Sequence, residues 1–153
     1  GKARALLLLV LARMASNNAD DAQRAQRTLA DWAVQDELPV ARIYAALAAA
    51  PIAARRGDTA EATRQLDTAL AAAEAERVPY DIVRVVMASI DDAISARDSS
   101  RIAALVQRVS PWSAQSYDAA IAEMRAYKAL GWNTALEGAR MRAEQLSGAS
   151  QPQ

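Results

Sequence analysis

The apolar positions of this chain recur every three or four residues, the spacing that gathers side chains on one face of an α-helix. Leu6, Leu9 and Val10 form one such stripe. Ile43 and Leu47 form a second, Ile82, Val85, Val86 and Ile90 a third, and Ile121, Met124 and Tyr127 a fourth. Each stripe ends in a short polar break, and a second helical pattern follows. The clearest break is Gly57-Asp58-Thr59-Ala60-Glu61-Ala62, which leads to Leu66, Ala69 and Leu70. Arg97-Asp98-Ser99-Ser100-Arg101-Ile102 leads in the same way to Val106 and Val109, and Asn17-Asn18-Ala19-Asp20-Asp21-Ala22 to Gln26 and Leu29. The turns fall at positions 18, 58 and 98, and a fourth copy, Gly131-Trp132-Asn133-Thr134-Ala135-Leu136, follows after a shorter interval and leads to Ala139 and Ala143.

This pattern predicts four helical hairpins: 2–16 with 19–34, 38–56 with 59–77, 80–96 with 99–109, and 114–130 with 133–147. Asn18, Asp58 and Asp98 each stand where a side-chain oxygen can accept the free N–H groups of the next helix's first turn, so they read as N-caps. Glu37-Leu38-Pro39, Arg77-Val78-Pro79 and Ser110-Pro111-Trp112 separate the hairpins, with a proline that stops one helix and fits the first turn of the next. Pro51 falls inside a predicted helix, where it deprives the Leu47 carbonyl of its donor, and a bend or a split near Ala50 is expected. One domain at 1–147 and a frayed polar tail at 148–153 are expected.

Composition agrees with helices at close range. Of 153 residues 39 are alanine, phenylalanine is absent, and no stretch alternates β-branched and polar residues as a strand would. Lysine plus arginine equals aspartate plus glutamate at 18 each, with the signs interleaved, so no stripe suited to a nucleic-acid backbone is expected. Ala5 to Ala12 is the most apolar run, too short to span a membrane; with Arg13 directly behind it, it reads as a buried first helix. The chain has neither histidine nor cysteine. It therefore lacks the commonest general base, thiolate metal ligands and a thiol nucleophile, and no glycine-rich phosphate loop is present. The adjacent carboxylates Asp91-Asp92 and Asp20-Asp21 project about 100° apart on a helix and read as solvated surface. Arg55-Arg56 reads as charge at a helix C-terminus, and Trp32, Trp112 and Trp132 as rings sealing helix ends. No enzyme activity, metal or cofactor is expected.

Gly57-Asp58, Ala62, Leu66 and Ala69, and Tyr127 with Ala129-Leu130-Gly131, resemble the tetratricopeptide family at its turn, its second helix and the end of its first helix. The resemblance covers about residues 2–147, is strongest in the second hairpin, and departs from the pattern in the first helices, where the usual bulky aromatic is mostly alanine, serine or isoleucine. It implies an all-α, right-handed α-solenoid of about four helix-turn-helix repeats. The 40-residue period and the alanine and arginine richness are similar to the sensor arms of bacterial transcription activators of the LuxR and maltose-regulator type, and the style is shared with arms of bacterial serine/threonine kinases. What the resemblance implies is a protein-interaction module, the regulatory or sensing arm of a larger bacterial protein, holding a protein or peptide on its concave face. A small-molecule effector-sensing domain and a structural or dimerising domain, with a homodimer as its product, are the alternatives. Direct nucleic-acid binding and membrane insertion are not expected, and the expected compartment is the cytoplasm, with the periplasm as the alternative. Matching to the family's groove positions selects Tyr44, Arg84, Met87, Asp91, Asp118, Ile121, Arg125 and Lys128 as the partner-binding side chains.

Overall fold

The computed structural model describes residues 2–15, 19–35 and 39–149. Among them the chain forms α1 (Lys2–Ala15), α2 (Ala19–Gln35), α3 (Pro39–Arg55), α4 (Thr59–Glu76), α5 (Pro79–Ser95), α6 (Ser99–Val106), α7 (Tyr117–Leu130) and α8 (Asn133–Ala149), with a 3-10 turn at Ser110–Trp112 and no strand. The fold class is all-α, and no helix among the described residues is long and apolar enough to cross a membrane. The turn at Asn17-Asn18, the Asn18 cap and tail residues 150–153 lie outside the described residues.

The described turns close by one device. At the end of α3, Gly57 adopts φ 81°, its N–H donates to the Ala54 carbonyl and the Asp58 N–H to Ala53. This backbone-only closure satisfies carbonyls that the helix leaves open. The end of α5 repeats it with Arg97 at φ 55°, donating to Ile94, while the Asp98 N–H donates to Ala93. The end of α7 repeats it with Gly131 at φ 72°. The next helix is then capped by Asp58, which accepts from the Glu61 N–H at 3.1 Å, and by Asp98, which accepts from Arg101 at 3.1 Å. Trp132 stands in the corresponding place of the last hairpin and caps with its carbonyl alone, accepting from the Leu136 N–H.

The chain divides into two compact units, Gly1–Val78 and Pro79–Gln153. In the first, α1 packs on α2 and α3, α2 on α3, and α3 on α4. Leu7, Val10, Leu29, Ile43 and Tyr44 are among its fully buried side chains, and Ala62 and Ala69 are both 1% exposed on α4. In the second, α5 packs on α6 and α7, α6 on α7, and α7 on α8, around Val85, Val86, Ile90, Val106 and Val109. The two units thus use one packing scheme.

Four expectations change. Helix α3 continues through Pro51 to Arg55, so of the bend or split expected near Ala50 the split is absent. Helix α6 ends at Val106, and Pro111 starts the 3-10 turn rather than α7, whose first turn is capped instead by the Ser116 hydroxyl accepting from Ala119. Helix α8 extends to Ala149, past the expected end at 147. In α1 the buried stripe is Leu7, Val10 and Met14, and Leu9 is exposed. A run of six consecutive aliphatic residues carries no periodicity from which a face can be selected.

Candidate functional site

Helix α5 presents one face at Tyr80, Arg84, Met87 and Asp91, positions separated by whole helical turns. Opposite it, the 3-10 turn and the short loop to α7 place Trp112, Gln115 and Ser116, and the first turn of α7 places Asp118. Between these segments lies a groove of about 660 Å³, all of it within the second unit. Val83, Met87 and Trp112 supply apolar lining, and Arg84 and Asp118 bring one charge of each sign. The Arg84 guanidinium donates to the Tyr80 hydroxyl at 3.0 Å, which holds both side chains along α5. Arg125 of α7 reaches Asp91 at 3.0 Å and ties the two helices together beside the groove. That pair is about half exposed on both sides, so its worth is at most about 1 kcal/mol.

Of the residues selected from the sequence, Arg84, Met87, Asp91 and Asp118 line this groove, and Arg125 is bonded to one of them. Lys128 is exposed near the end of α7 and Ile121 is half-buried on the same helix; neither lines the groove. Tyr44 must be corrected. It is 1% exposed in the core of the first unit and offers nothing to a partner. The small neighbours around it on α3, Ala41, Ala46 and Ala48, are also buried, so the one large ring of that helix fills the interior that they leave. Tyr80, Trp112 and Gln115 were not selected. The sequence signal for Tyr80 was present in its four-residue spacing to Arg84, but a tyrosine directly after the helix-starting Pro79 reads first as a helix end.

The second unit also holds a buried carboxylate. Glu123 is 1% exposed, its Oε2 accepts from the Tyr127 hydroxyl at 2.9 Å, and the Ser110 hydroxyl, which donates to the Val106 carbonyl at 2.9 Å, lies 3.4 Å from the same oxygen. Arg142 of α8 donates to both of its oxygens at 3.3 and 3.4 Å. The 3-10 turn, α7 and α8 thereby meet on one side chain. Burial, and then donation to Glu123, push the Tyr127 hydroxyl above the ordinary tyrosine range. Its ring stacks on Trp132, centroids 6.0 Å apart and planes 26° from parallel. Every oxygen of this cluster is engaged with a fixed neighbour, so it braces the fold.

A smaller, polar cavity of about 360 Å³ lies in the first unit, between α2, α3 and α4, with Gln23, Gln26, Arg27, Arg56 and Glu61 on its walls. Glu61 is already committed to Arg64 and Gln65, and the Arg64 bond is the main reason its carboxyl sits below the usual range. No group of three or more metal-ligating side chains comes together among the described residues. The described residues are all-helical, and the groove beside α5 is amphipathic. The sequence matches no family model, no curated protein and no solved structure.

Proposed function

We propose that this chain is a peptide-binding interaction module built from tetratricopeptide-like hairpins stacked as a right-handed α-solenoid, and that the groove beside α5 is its binding surface. The repeated packing scheme supports the solenoid reading: in both units the first helix meets the second and third, the second the third, and the third the fourth. The groove carries the functional reading. From Tyr80 to Asp91 it follows α5 for about 16 Å at 1.5 Å per residue, room for about five residues of extended peptide. Its mixture suits a peptide: an apolar floor takes a side chain, while the Gln115 amide, Arg84 and Asp118 can meet backbone and charged groups of either sign. In the larger protein such a module acts as the regulatory or sensing arm. The volume also falls in the range of small-molecule sites, and this favours effector sensing as the second reading.

The test is selection of peptides from a random library, followed by fluorescence polarisation. Arg84→Glu and Asp118→Lys should each weaken a selected peptide about tenfold or more, with helical circular dichroism unchanged. Undiminished binding by both folded variants, or no binder from the library, would refute the groove assignment.

A further inference from the structure

The surface of α1 opposite its buried stripe is apolar and open. Leu8 is 57% exposed and Leu9 39%, and Ala5 and Ala12 are exposed with them. Positions 5, 8, 9 and 12 follow the spacing of a single helix face. Counted back from the turns at 18, 58 and 132, Leu8 and Ala12 correspond to Ala48 and Ile52 of α3 and to Ala122 and Ala126 of α7. These four counterparts are buried, in helices that have neighbouring helices packed on them, while the third turn, at 98, gives Ala88 and Asp92 of α5, which are half-buried. The α1 stripe is thus a helix-stacking face that carries no neighbour among the described residues.

The sequence of this face names its occupant. Arg4-Ala5-Leu6-Leu7-Leu8-Leu9-Val10-Leu11-Ala12-Arg13 reads almost identically in both directions, the one exception being the exchange of Leu7 for Val10. Two copies laid antiparallel about a two-fold axis between Leu8 and Leu9 therefore set Leu8 against Leu9 and Ala5 against Ala12. Leucine pairs fill the centre, and the small alanines let the helix ends approach. A two-fold interface must present the same patch on both partners, and a patch with this internal symmetry meets that requirement without any second surface. The Arg13 charge at one end is offset within its own chain by Asp21 at 4.0 Å. We propose that α1 is a homodimerisation surface, joined antiparallel to α1 of a second copy through Ala5, Leu8, Leu9 and Ala12.

The experiment combines sedimentation equilibrium across the micromolar range with directed cross-linking, for which the absence of native cysteine leaves a clean background. The wild-type chain should dimerise in this range. Leu8→Lys with Leu9→Lys should shift it to monomer with helical circular dichroism intact, since both side chains are solvent-exposed. Ala5→Cys mixed with Ala12→Cys should form a disulfide-linked dimer, and Ala5→Cys alone should not, because in antiparallel pairing the two copies of residue 5 are about 10 Å apart along the axis. A monomer at every concentration overturns the proposal and leaves the face to a helix of another kind. Cross-linking by Ala5→Cys alone also overturns it, as does a dimer that persists in the double-lysine variant.

Discussion

Replacing Glu123 by glutamine tests whether the buried carboxylate braces the second unit. The amide is almost the same size, so no cavity opens, and only the charge and one acceptor are lost. The amide oxygen can keep the Tyr127 bond at 2.9 Å, the shortest in the cluster, but the amide nitrogen then faces the Arg142 guanidinium, donor against donor. A hydrogen bond to a charged group is worth about 1.5–3 kcal/mol. The Arg142 contacts are long at 3.3 and 3.4 Å, and the Arg142 side chain is about one-third exposed, which places the loss at the lower end, about 2 kcal/mol. For a chain of this length that is a fall of about 4–8 °C in melting midpoint. The assay is thermal denaturation followed by circular dichroism for Glu123→Gln, Arg142→Gln and the double variant. If the two side chains act as a pair, the double variant should lose less than the sum of the singles, by about 1 kcal/mol. A midpoint within about 1 °C of wild type for Glu123→Gln, or strict additivity of the singles, would refute the bracing role.

Arg97 holds a left-handed backbone at φ 55° in the place that Gly57 and Gly131 fill in the neighbouring hairpins. Arg97→Gly should relieve that strain and stabilise by about 0.5–1 kcal/mol, read as a small rise in melting midpoint; a fall would show that the exposed arginine makes a compensating contact. The raised Tyr127 hydroxyl predicts alkaline sensitivity. The unfolded chain loses that proton from about pH 10 while the folded chain retains it, so the contribution is complete below about pH 10 and disappears as pH rises through the native value. Tyr127→Phe should make denaturant stability fall less steeply with pH above about 10 than in wild type, and parallel profiles would contradict the assignment.

The hairpin layout was legible because its signals are local. Gly57-Asp58 and Arg97-Asp98 carry turn and cap in adjacent residues, and the structure puts each in the role that spacing predicts. The face of α1 was not legible, since a continuous aliphatic run hides which residues turn inward. Nor was the buried face of α7. The periodic residues Ile121, Met124 and Tyr127 are only half-buried, while Ala119, Ala120, Ala122 and Ala126 are fully covered. Alanine is common on both surfaces and interiors of helices, so its burial cannot be read from identity alone. The groove was partly legible, because the α5 residues share a helical face. Its other wall depends on how the loop after α6 folds back, which no spacing along the chain specifies. Tyr44 failed for the reverse reason: a tyrosine at a groove position is equally at home as the largest piece of an alanine-rich core.

The last hairpin buries Ala119, Ala122 and Ala126 on α7 and Ala139 and Ala143 on α8. Methyl-sized side chains make a smooth seam with little to distinguish one alignment of the two helices from another displaced by a turn. Such a slip of about 5.4 Å would carry Arg142 away from Glu123 and leave a carboxylate stranded among alanines. The ion pair therefore works as an indexing pin, fixing where along its length α8 may rest on α7 when apolar packing alone would leave the choice open.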